Sequence, residues 1–208
     1  DFGTLLPHLF NGSAKAWLND EIVNQYLITI TKILNDECGF VYKRGGPAPP
    51  YHAFSSHWYT SIKGGVKKVE RWASRAGLGG IQFLDAKVVL FPVCDGSHWR
   101  LLAVKPQDRT IEYFDSLGWE GGRYVAKLGE YLQHELGEGW RGEEWTVAPV
   151  QRSARQLNGS DCGVFALLNA VAVVRGAGAE GVVAYNGMEE ARERLAMTII
   201  TGEAQELE

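Results

Sequence analysis

Residues Gln156 to Val174 read QLNGSDCGVFALLNAVAVV, and the fold turns on this stretch. Its first half is polar and contains Asn158, Gly159, Ser160 and Asp161, which favour turns and helix starts. From Cys162 onward the residues are apolar on every side of a helical projection, apart from Asn169, which predicts a buried central helix. Cys162 therefore stands at the mouth of that helix. A thiol there faces backbone N–H groups without intrahelical acceptors and the positive end of the helix dipole, a setting that favours thiolate. The run from Gly163 to Val174 falls short of the roughly 20 residues needed to cross a bilayer.

The other two cysteines have no such setting. Cys38 follows a predicted helix beside Gly39 and Cys94 lies near a hairpin, so both read as structural. Three cysteines, far apart and without CxxC or Cys/His ligand spacing, argue against a disulfide framework or a zinc site and fit a reducing compartment.

The chain ahead of this helix changes character twice. Lys87 to Val93, His98 to Val104 and Thr110 to Asp115 are short and rich in β-branched and aromatic residues. Their connections, Asp95-Gly96-Ser97 and Pro106-Gln107-Asp108, suit hairpins and are too short for a parallel crossover, which predicts three antiparallel strands. Trp145 to Val150 reads as a further strand. Before the strands, Asp20 to about Leu34 has helical spacing, with Asn19 as N-cap and Asp20 and Glu21 in the first turn. Val66, Val69, Trp72, Ala73 and Ala76 predict a second helix over 65–76, after a Gly/Pro-rich loop and before a glycine stop. Tyr124 to Leu136 and Met188 to about Ile200 predict two more. The order of helices, sheet and helices indicates an α+β fold, and 208 residues suit a single domain, 1–208.

A nucleophilic cysteine needs a base, and His98 stands where a strand begins after a tight turn, which exposes a side chain while fixing its backbone. In an antiparallel pair, His98 and Asp115 share one end of the sheet. Asp115 is then placed to orient the imidazole and stabilise the imidazolium. Gln156, six residues before Cys162, is close enough to donate its amide to an oxyanion, with the Cys162 N–H as second donor. His8, His52, His57 and His134 have no partner pattern and read as surface or packing residues.

Taken together, Trp17-Leu18-Asn19-Asp20-Glu21, His98-Trp99, Asp115-Ser116, and Gln156 with Asn158 and Asp161-Cys162-Gly163 resemble the Ulp1/sentrin-specific protease family. The likeness runs from residue 17 to about 170, with Phe54-Ser55-Ser56, Tyr59-Thr60 and Val66 through Trp72 similar to its intervening segments. It implies a papain-like cysteine protease fold of the Ulp1 type. It also implies catalytic roles for Cys162 as nucleophile, His98 as base, Asp115 as orienter and Gln156 as oxyanion donor. Trp17 and Trp99 would flank a tunnel for a Gly-Gly tail, and Asp20 would contact the ubiquitin-like partner. Two departures stand out: His57-Trp58 where paired aromatics are expected, and the longer loop over 44–50.

The implied function is cleavage after the C-terminal glycine of a ubiquitin-like modifier, SUMO first, in precursor maturation or removal from lysine. NEDD8 or ubiquitin are the rival substrates within the class. An acetyltransferase with a related Cys-His site and a non-catalytic binding module are the rivals outside it. The chemistry requires no metal or cofactor. The formal charge of −4, with basic residues scattered, argues against a nucleic-acid surface. Nothing at the N-terminus has the pattern of a secretory signal. A monomer within the cell is expected, in the nucleus or at the nuclear envelope by resemblance, with cytoplasm the alternative, and with no membrane association.

Overall fold

The computed structural model describes residues 1–13, 16–148, 151–176 and 187–205. In chain order, α1 spans Phe2–Leu5, α2 Asp20–Glu37, β1 Tyr51–Ala53, α3 His57–Ile62 and α4 Trp72–Arg75. There follow β2 Val88–Asp95, β3 His98–Lys105, β4 Thr110–Phe114, α5 Gly122–Leu136, β5 Thr146–Val147, α6 Cys162–Val174 and α7 Met188–Thr201.

The strands form one sheet in the order β1-β2-β3-β4-β5. Its centre is the expected antiparallel run, while β1 on β2 and β5 on β4 are parallel edges. Asp95 pairs with His98 across a two-residue loop, and both loop residues, Gly96 and Ser97, have φ near +60°. That conformation matches the twist of the flanking strands, so the turn fixes the register that starts β3 at His98.

Alternation along the strands separates two cores. Val88, Leu90, Trp99, Leu101, Ala103 and Phe114 face α2, α6 and α7. Val89, Phe91, Val93, Leu102, Val104 and Tyr113 face the side of α3, α4 and α5. Every residue of α6 is buried, as its all-round apolar sequence requires. Asn169, the polar exception, donates to Ser153 Oγ at 2.9 Å and ties the helix to the preceding loop. Asn19 caps α2 by accepting from the Ile22 N–H at 3.0 Å.

Two expectations need correction. The helix over 65–76 is a 3-10 turn, Val66–Lys68, followed by the short α4. Its apolar spacing is genuine, since Val69 and Ala73 are fully buried. The links Val69 N–H to Val66 O and Trp72 N–H to Val69 O are three-residue bonds, however, and tertiary packing supports these turns without a continuous helix. The strand expected over 145–150 pairs only at Thr146 and Val147, followed by one hydrogen bond from Ala148 to Ile111; positions 149–150 lie outside the described residues. Among the described residues, no helix is long and apolar enough to cross a membrane.

Candidate active site

His98 opens β3 and Asp115 follows the last residue of β4. The β3–β4 register pairs Leu101 with Phe114, so the next pair is Arg100 opposite Asp115. His98 is two residues from Arg100 and leaves the same face of the strand. The result is a contact of 2.8 Å between His98 Nε2 and Asp115 Oδ1, both buried. With Nε2 engaged there, Nδ1 is the ring nitrogen left for a second partner, and the Cys162 thiol is near enough to raise the pKa of the imidazole.

Cys162 is the first residue of α6 and is buried, in the turn where backbone N–H groups have no intrahelical acceptor. The loop before it is organised by Asn158. The Asn158 side-chain oxygen accepts from the backbone N–H of Ser160 and Asp161 at 2.9 and 3.0 Å, and its amide donates to Asp161 Oδ2 at 2.7 Å. Gln156 joins this loop to the Asp115 turn. Its backbone N–H donates to Ser116 O at 3.0 Å, and its side-chain oxygen accepts from the Ser116 hydroxyl. Its Nε2 donates to Asn158 O at 2.6 Å, which leaves a second amide hydrogen for another acceptor.

Charge in the site is arranged by these bonds. Burial of the His98 ring opposes its charged form, but the hydrogen bond to Asp115, the neighbouring Cys162 thiol and the Asp115 charge outweigh it, so His98 is held above its ordinary pKa. Burial also opposes ionisation of Asp115. The bonds from His98, the Leu117 N–H and Tyr113 outweigh that, and the carboxyl is held below its ordinary range. An imidazolium facing a carboxylate is thereby stabilised, and a neighbouring thiol has a base to receive its proton.

Trp17 and Trp99 line one cleft of about 370 Å³ together with Asp20, Ser56, His57 and Cys94. The two indoles are not equivalent. Trp17 is 51% exposed, whereas Trp99 is 4% exposed and donates from Nε1 to Leu18 O at 2.8 Å. Trp99 thus supports the segment that displays Trp17. A Cβ on Gly163 would stand 2.8 Å from Leu18 Cβ and 3.1 Å from Trp99 Cδ1, so only glycine allows this approach. Asp20 lies 3.5 Å from His57 Nε2, both at the surface.

Three residues at the site, Arg100, Tyr113 and Trp119, escape the sequence reading. Arg100 and Tyr113 both donate to Asp115 Oδ2, at 3.0 and 2.9 Å. Trp119 packs against the His98 ring, with centroids 5.1 Å apart. Cys94, read as structural, borders the cleft. Period-two spacing puts Arg100 and Tyr113 on the strand faces of His98 and Asp115, but their meeting at Asp115 depends on the β3–β4 register; nothing local marks Trp119. Among the described residues, one cluster offers metal-type donors, His8, Glu189 and Glu193, but it is an exposed ion-pair group.

The profile of the Ulp1 protease family, C-terminal catalytic domain, matches residues 48–205. Sentrin-specific protease 2 of Homo sapiens is 31% identical over 156 residues, covering 72% of this chain and 24% of its own length. A sentrin-specific protease of Caenorhabditis elegans is 31% identical over 154 residues, covering 72% of this chain and 20% of its own. The chain therefore spans about a quarter of the curated relatives it matches. Among solved structures, the Chaetomium thermophilum Ulp1-like SUMO protease catalytic domain superposes with a TM-score of 0.83 at 30% identity, covering 91% of this chain and 74% of that one. The α+β fold is thus of the Ulp1 type.

Proposed function

The chain belongs to the Ulp1 protease family, and from that membership we propose that it is a cysteine protease and isopeptidase that cleaves after the C-terminal glycine of SUMO. The observation that carries the reading is the buried His98–Asp115 pair at 2.8 Å, with the buried Cys162 thiol at the start of α6 acting on the same imidazole. Relatives named as sentrin-specific and SUMO proteases support SUMO over NEDD8 or ubiquitin.

In this reading His98 Nδ1 takes the Cys162 proton while Nε2–H stays on Asp115. The thiolate attacks the glycine carbonyl, and the oxyanion is met by the Gln156 amide and the Cys162 N–H. The imidazolium then protonates the leaving amine, and water, deprotonated by His98, releases the glycine carboxylate from the thioester. Precursor maturation and removal from lysine differ only in that amine. Trp17 and Trp99 bound a passage narrow enough to select a Gly-Gly tail, and Asp20 is the contact for the modifier's body. Residues 1–208 act as one catalytic domain, supported by two apolar cores on one shared sheet. The protein works as a monomer, in the nucleus or at its envelope, on SUMO and its conjugates.

A panel of modifiers ending in a glycyl vinyl sulfone tests this. SUMO should label Cys162 within minutes, faster than NEDD8 or ubiquitin, and Cys162→Ala should remain unlabelled. Faster labelling by another modifier would overturn the substrate assignment, and no labelling by any would overturn the protease.

A further inference from the structure

Asp115 is satisfied by four donors, and only one of them is the imidazole it is read to orient. Oδ1 accepts from His98 Nε2 and from the Leu117 N–H, each at 2.8 Å. Oδ2 accepts from Arg100 Nε at 3.0 Å and the Tyr113 hydroxyl at 2.9 Å. The Arg100 side chain is 3% exposed, and its Nη1 also donates to the carbonyls of Asp95 and His98, at 3.0 Å each. Tyr124 and Trp119 flank the guanidinium, with ring centroids 4.9 and 5.4 Å from Cζ. Trp119 also packs on the His98 ring. One buried cation thus touches the carboxylate, the backbone of His98 and the aromatic cover of His98.

A carboxylate facing an imidazole alone can rotate and can draw the imidazolium proton too strongly for efficient release. A general base that must later act as an acid works best when its proton affinity lies near the working pH. A permanent guanidinium on the second oxygen answers both problems, since it fixes the carboxylate plane and shares its charge. Among the described residues, the charged and titratable groups acting on His98 include Asp115 after β4, Cys162 on α6 and Arg100 on β3. Tyr113 on β4, Asp95 on β2 and Tyr124 with Arg123 on α5 contact that group, and the Arg155 guanidinium lies against Gly118 beyond Asp115. Asp95 is already paired with Lys63 at 3.1 Å and Arg123 at 3.0 Å, which leaves Asp115 and Arg100 as the opposing charges.

We propose that Arg100 is a positioning residue of the reaction, which holds Asp115 Oδ2 so that the carboxylate aims His98, and whose charge limits how tightly the His98–Asp115 pair keeps its proton. This rests on the reading of Cys162, His98 and Asp115 as the triad. The electrostatic direction agrees, since the Arg100 charge pulls the His98 pKa down against the upward pull of Asp115.

The test is an NMR titration of His98 in uniformly ¹⁵N-histidine-labelled protein, with His98→Gln used for assignment, alongside kcat/KM against pH on a SUMO–aminocoumarin conjugate. In Arg100→Met the His98 midpoint should rise by about one pH unit, because repulsion of the imidazolium is removed. The alkaline limb of kcat/KM should move with it, and kcat/KM at neutral pH should fall about tenfold. Arg100→Lys should return the midpoint most of the way. An unmoved midpoint in folded Arg100→Met, or an equal rise in Arg100→Lys, overturns the proposal. If Arg100→Met does not fold, Arg100→Gln is read by the same criteria. Vinyl-sulfone labelling of Cys162 with an unmoved midpoint defeats this inference and leaves the protease reading intact; failure of labelling defeats both.

Discussion

Gln156 shows how much a single side chain can be asked to do. Its oxygen is committed to the Ser116 hydroxyl and one amide hydrogen to Asn158 O, so the amide plane is held from both ends. A donor fixed in this way needs no reorganisation when an oxyanion forms. Gln156→Ala should therefore lower kcat by about 10² to 10³ with little change in KM, measured on a SUMO conjugate at saturation. Equal activity would remove Gln156 from the reaction. At this scale the sequence singled out His98 and Asp115, which the fold brings into contact, and Gln156, which it ties to the turn after Asp115. It missed Arg100 and Tyr113 because their significance depends on which strand lies beside β3 and in what register.

At the scale of elements, α6 and the segment before α2 meet at Gly163. A glycine inside a helix is ordinarily unfavourable by up to about 1 kcal/mol relative to alanine. Here a methyl would enter within 2.8 Å of Leu18 Cβ, close to the backbone and unable to swing aside. Gly163→Ala should therefore destabilise the protein, by roughly 1–3 kcal/mol of overpacking against the propensity gain, as urea unfolding would show. It should also depress kcat/KM, because the shifted Leu18 carries Trp17 with it. A more stable, fully active Gly163→Ala would mean that the approach of the two elements is loose. The elements themselves were largely legible: helices at 20–34, 124–136 and 188–200 and three antiparallel strands are present close to the expected bounds. The helix expected over 65–76 was not, since its apolar period describes burial alone and does not say whether the turns join.

Across the whole molecule, Arg192 on α7 binds the two ends of the chain to the Cys162 loop. It donates to Thr4 O at 3.0 Å, to Ala16 O at 3.1 Å and to Asp161 Oδ1 at 2.7 Å, and the Arg192–Asp161 pair is buried. Ala16 immediately precedes Trp17 and Asp161 immediately precedes Cys162, so one guanidinium links the segment that carries Trp17 to the loop that carries Cys162. Removing one member of a buried pair leaves the other charged and unpaired, at a cost of about 3–5 kcal/mol. Arg192→Met should lower stability to urea by that amount, and Asp161→Asn in the same chain should recover part of it. Independent, additive losses would show that the two residues do not act as a pair.

By itself the sequence determined what is local or periodic: the buried helix opening at Cys162, the β-rich middle, the hairpin that begins a strand at His98, and the α+β class. Capping, turn chemistry and apolar spacing act over a few residues and can be read from one end of the chain to the other. Only the tertiary structure decided that β1 and β5 pair in parallel at the edges, that Arg100 rather than His98 stands opposite Asp115, and that Arg192 reaches across 31 residues to Asp161 and 176 to Ala16. Those contacts join segments whose separation carries no local signal, and their energy is realised only once the two cores have closed on the sheet between them.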